Sequence, residues 1–224
     1  IITMAAAGAL MLWGCDVKDT IYETDHQAQG AITVKADWST IGQGITKPAK
    51  WTVAAGSREG TAENTDRHTF REPFDPSSYM LYAWYPAEHI SVSGTTATVS
   101  TDGSGIHPQP EWLFTARLQA TVEAAKRHEF TLQMTQQVRQ LTLVVEPTGS
   151  AADRIRTITG TLSGVAGSYD MESGVHGESS FVALVFTKGT DGKWAATVRL
   201  LGVTEAQRKF SGTIGFTDGI PGDI

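Results

Sequence analysis

The chain of 224 residues carries 18 Lys and Arg against 24 Asp and Glu, a net charge of -6, and it contains one cysteine. A mildly acidic chain with no Lys/Arg cluster lacks the electrostatic footprint of a nucleic-acid binder, which argues against that partner. A single thiol permits no intramolecular disulfide, so stability must come from buried apolar area, enough for one large β domain or two of ordinary size.

Ile1 to Gly14 carry no charge and are rich in Ala, Leu, Met and Ile. The run enters lipid readily but is shorter than the ~18 to 20 residues of a spanning helix, so it reads as the apolar region of a secretory signal. The initiating Met and basic flank of a complete signal are absent, and part of the leader is expected to be missing. Leu12-Trp13-Gly14-Cys15 matches the bacterial lipobox, with a small residue before the cysteine and leucine three positions before it, although Trp13 is bulky for the motif. Cleavage would leave Cys15 first, its sulfur carrying diacylglycerol. Each buried methylene contributes about 0.8 kcal/mol, and two or more acyl chains hold a protein stably on a membrane. No later apolar run is long enough to span a bilayer, so lipid on Cys15 is the expected anchor.

From Cys15 to Gly30 the sequence is polar and aperiodic, as befits a tether. Ala31 to Trp38 then alternates, with Ile32, Val34, Ala36 and Trp38 on one face and Thr33, Lys35 and Asp37 on the other, which predicts a half-buried strand. Trp51 to Ala55 is a shorter strand, Gly56 to Asp66 reads as a loop, and Arg67 to Phe70 begins another strand before Pro73 and Pro76. Tyr79 to Tyr85 is apolar on both faces, which predicts a central strand covered on both sides and ended by Pro86. His89 to Ser100 reads as a hairpin turning at Ser93-Gly94, and Thr101 to Pro110 as a loop. Trp112 to Val122 has strand character, and Glu123 to His128 suits one helical turn.

Phe130, Leu132 and Met134 share one face of the next strand, and Leu141, Leu143 and Val145 share one face of its successor. The polar break between them places a domain boundary near Gln136, giving units 31–136 and 137–224. Ser150 is placed to cap a short helix through Arg154. Ile158, Gly160 and Leu162 start a strand running into Gly164, and Val165 to Gly177 reads as a Gly/Ser-rich connection. Phe181 to Phe186 is a fully apolar strand. Asp191-Gly192 marks a hairpin into Trp194, Ala196, Val198 and Leu200. Phe210, Gly212, Ile214 and Phe216 alternate, and the turn signal Asp218-Gly219 has no returning strand, which suggests truncation and an unpaired sheet edge. Short strands with turn signals and almost no helix predict an all-β chain of β-sandwiches.

Little in the sequence carries chemistry. The six histidines are scattered without metal-ligand spacing, so no metal and no cofactor beyond the lipid is expected. Ser163 lacks the preceding motif of a nucleophile elbow, and Asp102-Gly103-Ser104-Gly105 lacks the lysine of a phosphate loop. No enzyme activity is expected. Trp38 and Trp194 fall on apolar strand faces and belong to the core, whereas Trp51, Trp84 and Trp112 are candidates to stack on sugar rings.

Taken together, Cys15-Asp16, the first strand Ile32-Thr-Val-Lys-Ala-Asp-Trp38, the Tyr79 to Tyr85 strand, Glu111-Trp-Leu-Phe114, Arg139-Gln-Leu-Thr-Leu-Val-Val145 and the run Ile158 to Gly167 resemble the fimbrillin-A-associated anchor proteins of Bacteroidetes surface fimbriae, the type V pili. The resemblance implies two tandem transthyretin-like β-sandwich domains and a lipid-anchored, surface-exposed outer-membrane protein. The expected role is that of a fimbrial anchor or accessory subunit, and the expected partners are fimbrial subunits joined by β-strand addition. Stalk pilins of such fimbriae are trimmed by an arginine-specific protease near their N-terminal strand. Here the first arginine is Arg58, beyond the first strand, which favours a subunit that keeps its lipid. The alternative from another class is a surface glycan-binding lipoprotein of a polysaccharide-uptake system, using Trp51, Trp84 and Trp112.

Overall fold

A computed structural model describes residues 28–103, 105–204, 208–219 and 222–223. Leu12, Trp13, Gly14, Cys15 and most of the tether lie outside the described residues. The first half contains β1 (Ala31–Asp37), β2 (Lys50–Ala55), β3 (Arg58–Glu63), β4 (Arg67–Thr69), β5 (Ser77–Trp84), β6 (Ile90–Ser93), β7 (Thr96–Val99), β8 (Phe114–Val122), β9 (Arg127–Gln133) and β10 (Thr135–Gln136). The second contains β11 (Arg139–Val145), a short 3-10 helix (Gly149–Arg154), β12 (Ile155–Asp170), β13 (Val175–Val185), β14 (Thr187–Lys188), β15 (Trp194–Leu200), β16 (Phe210–Phe216) and β17 (Gly222–Asp223). The all-β expectation holds.

A three-stranded sheet, β4-β1-β9, faces a five-stranded sheet, β10-β8-β5-β2-β3, across a first buried cluster that includes Ile32, Val34, Trp51, Leu81, Phe114 and Leu132. A second pair of sheets, β11-β15-β14 and β17-β16-β12-β7-β6 with β13 on the other side of β12, encloses a cluster that includes Val99, Leu113, Ile158, Val182, Leu184 and Val198. Each such side chain, fully buried, contributes roughly 1.5–3 kcal/mol. β1 shows why its residues form a strand: Ile32, Val34 and Ala36 are 0–2% exposed while Lys35 faces solvent.

The boundary expected near Gln136 does not separate the two clusters in sequence. The β6–β7 hairpin leaves the first half and pairs with the far end of β12, Thr98 opposite Ser168 and Thr96 opposite Asp170. The chain therefore passes between clusters three times, between Ala83 and Ala87, at Leu113-Phe114, and between Met134 and Val138. Tyr85 and Trp112 pack against both.

Other expectations change for local reasons. Gly56 to Asp66 contains a strand, β3, because Gly56 at φ +59° makes a tight turn that pairs Ala55 with Arg58; β3 is a polar edge with only Ala62 buried. β5 is central, between β8 and β2, but its outer face is open at Met80, 36% exposed, and closed only near Trp84. Glu123 to His128 is a turn through Ala125 at φ +57°, not a helical one. Val165 to Asp170 continues β12 past a bulge at Gly164, and the small residues allow close approach: a Cβ on Gly160 would lie 2.6 Å from the Phe210 ring. The chain does return after Asp218-Gly219, where β17 pairs with Thr213 and Ile214.

Candidate tether attachment and exposed strand edges

The tether joins the fold at Gln29 and Gly30. The Gly30 N–H donates to the Phe74 carbonyl and the Phe74 N–H to that of Gly30, both at 2.8 Å. The Ala125 N–H donates to the Gln29 carbonyl and the Ala31 N–H to that of Lys126, both at 2.9 Å. Gly30 is required by space, since a Cβ would lie 2.4 Å from the Glu123 carbonyl oxygen. A cavity of about 350 Å³ opens beside this point, lined by Gln29, Gly30, Phe70, Arg71, Lys126 and Arg127 among others. Lys126 hydrogen-bonds Glu123 and holds that carboxyl below its usual range.

From there β1 runs into the interior between two neighbours. It pairs antiparallel with β4 and parallel with β9 over all seven residues, Ala31 opposite Arg127 through Asp37 opposite Gln133. Its far end is fixed by the Met134 N–H, which donates to the Asp37 carbonyl at 2.8 Å. All three crossings to the second cluster leave from that far end: the C-terminus of β5, the N-terminus of β8 and the C-terminus of β9. The tether and the second cluster thus sit at opposite ends of the first sandwich.

The most exposed apolar strand lies in the second cluster. β13 pairs only with β12 among the described strands. Val182 and Leu184 point into the core at 0–1% exposure, while Phe181 and Val185 face out at 44% and 75%. On the open edge the Ile106 N–H reaches the Phe181 carbonyl at 2.9 Å. Farther along, Phe186 donates to Ile158 across the β12 ladder, so the alternation of the strand turns the N–H of Ala183 outward. Sequence reading found this run apolar but had no signal for its exposed half, because periodicity does not say which apolar face is covered.

The tryptophans do not form the sugar platform that three exposed rings would make. Trp51 is 1% exposed and its indole N–H donates to the Thr65 carbonyl at 2.8 Å. Trp84 is 8% exposed, flanked in its sheet by buried Thr52 and Thr115. Trp112 is half-buried, and the Arg199 guanidinium lies 4.3 Å from its ring centroid. Trp194 is buried, as expected, and Trp38 packs edge-on against Phe114.

Several titratable groups of the described residues meet in pairs. The Tyr85 hydroxyl donates to Glu111 at 2.8 Å, and burial with this carboxylate pushes the phenol up to about 12. His89 and His107 stack at 3.6 Å between centroids, and burial lowers His68. Among the described residues no three His, Cys, Asp or Glu side chains come together as a metal site. No helix among them is long and apolar enough to cross a membrane.

Solved structures of similar shape include proteins of Bacteroides and Porphyromonas species. A candidate adhesin of Bacteroides ovatus superposes with a TM-score of 0.63 at 16% identity, over 95% of this chain and 86% of its own. The fimbrial anchor protein Mfa2 of Porphyromonas gingivalis gives 0.60 at 13% identity, over 88% and 82%. A candidate polysaccharide-binding protein of Bacteroides thetaiotaomicron gives 0.60 at 9% identity, over 88% and 80%. At these identities the likeness concerns the fold. No curated protein sequence matches the chain. The family profile for the fimbrillin-A associated anchor proteins Mfa1 and Mfa2 matches residues 53–222. With most of its length under that profile, the chain belongs to the family of fimbrillin-A associated anchor proteins.

Proposed function

We propose that this chain is a non-enzymatic fimbrial anchor, held on the outer membrane by lipid on Cys15, which receives a fimbrial subunit by strand addition along β13. The observation that carries the anchor reading is the state of its first strand. β1 is sealed between β4 and β9, and no arginine stands between Cys15 and Arg58, so the stretch from the lipidated cysteine into the core offers no arginine-specific cut. A subunit built this way keeps its membrane tie. Strand addition is supported by the one-sided pairing of β13 and by the exposed Phe181 and Val185, since main-chain bonds along an open edge give affinity and alternate side chains give selectivity.

Two variants in the native cell test the two parts separately. Cys15→Ala is expected to release the protein, and fimbriae with it, into the medium. Ala183→Pro removes an outward N–H while sparing the β12 ladder, and proline is tolerated at a sheet edge. It should leave the protein lipidated and on the cell but without attached fimbriae. Retention of both protein and fimbriae with Cys15→Ala would end the lipid-anchor reading, and normal fimbrial attachment with Ala183→Pro would end the β13 reading.

A further inference from the structure

A strand under tension fails in one of two ways. Pulled along its own axis against its neighbours, its ladder bonds are all loaded together. Pulled outward from one end, they break one after another. Which applies depends on where force enters relative to the pairing, and the registers of β1 decide it.

We propose that the β4-β1-β9 sheet is a shear clamp that carries tension between the N-terminal tether and the second cluster. The inference rests on the anchor reading for the source of the tension; the mechanical property itself does not. Force from the tether enters β1 at Ala31, beside the Glu123 to Lys126 turn. Force from the second cluster enters at the opposite end, through the ends of β5, β8 and β9. Because β1 and β9 are parallel, tension slides them past each other along their length. Opposite-end loading therefore meets the whole ladder, bounded by the bond from Ala31 to Lys126 and the bond from Met134 to Asp37.

The other edge of β1 is held as well. The Ala36 N–H donates to the Asp66 carbonyl at 2.8 Å, the Phe70 N–H to that of Ile32 at 3.1 Å, and Gly30 and Phe74 exchange both bonds. β4 and β9 are further tied to each other over the outer face of β1. Arg67 lies opposite Lys35 and Glu129 opposite Thr33, and the guanidinium reaches across β1 to grip both carboxylate oxygens, Nη2 to Oε1 at 3.1 Å. Below, Ile32 and Val34 are wholly buried, so sliding drags apolar side chains out of register with the core. Forced unfolding is governed by the unfolding rate, which this geometry slows in one pulling direction only.

The unlipidated chain offers its own handle, since Cys15 is its sole thiol. Single-molecule pulling would compare two attachments at one pulling speed, from Cys15 to Arg139→Cys and from Cys15 to Ala124→Cys. Both partner positions are exposed; Arg139 lies past the far end of β9 and Ala124 in the turn beside the tether. The first loads β1 in shear and the second peels it. The clamp predicts a rupture force several-fold higher for the first pair, with Lys35→Pro, which removes an N–H directed at β9, lowering it. Equal forces, or a higher force for the peeling pair, would overturn the proposal. Lys35→Pro is read only after its thermal unfolding shows a folded chain; the comparison of attachments stands without it. A loss of lipidation in the cell leaves these forces untouched, so failure of the anchor reading and failure of the clamp are separable.

Discussion

β1 and β13 are both strands whose alternate side chains are buried, Ile32, Val34 and Ala36 on one and Val182 and Leu184 on the other, yet they end in opposite circumstances. β1 has a partner on each side and turns Thr33 and Lys35 outward; β13 has a partner on one side and turns Phe181 and Val185 outward. The difference shows that the solvent-facing residues, not the buried ones, separate a strand that serves the fold from one that offers a surface. An open apolar edge is a hazard that natural proteins usually blunt with charge or proline. Its presence on β13, beside a first half whose own edge strand β3 is polar, fits a surface with an occupant.

The comparison breaks most sharply at matched aliphatic positions. Ile32→Ala on β1 should cost about 2–5 kcal/mol in denaturant unfolding, as for other core truncations. Val185→Ala on β13 should stay within about 0.5 kcal/mol, as for an exposed site. A large loss at Val185 would mean that its outward face is covered within the folded chain. A smaller effect is expected at the tether. Gly30→Ala places a methyl against the Glu123 carbonyl and should destabilise by about 1–3 kcal/mol through overpacking, seen as a lowered midpoint of unfolding.

A pH-dependent effect is expected at the junction of the two clusters. Tyr85 has its phenol raised from about 10 to about 12 by burial and by Glu111. A folded-state value above the unfolded one gives stability that is full below pH ~10 and is lost as pH rises toward 12. An ultraviolet titration of phenolate should show this late transition, and Tyr85→Phe should remove it and flatten the alkaline loss of stability.

What the sequence made legible follows from this. Period two located β1, β9, β15 and β16, the Ser93-Gly94 turn signal marked the β6–β7 hairpin, and two-sided apolarity put β5 in the middle of its sheet. β3 escaped because a polar edge strand leaves no alternation to read. The second half of β12 escaped because glycine and serine, which normally mark loops, here let strands approach closely. The partner of the β6–β7 hairpin was invisible for a different reason: pattern shows that a strand has a buried face but not which sheet covers it. Trp51 and Trp84 were open for the same reason, and their positions inside the first half closed the question in favour of packing. Cys15 was read from a motif and lies outside the described residues, so its chemistry is to be tested directly.

A lipid anchor of this kind requires β1 to stay joined to a lipidated Cys15. Intact-mass and N-terminal peptide analysis of the protein extracted from its native membrane tests this in one step. The prediction is an N-terminal peptide that begins at acylated Cys15 and continues through Ala31 to Asp37. A mature protein beginning after Arg58, or an unmodified Cys15, would contradict it.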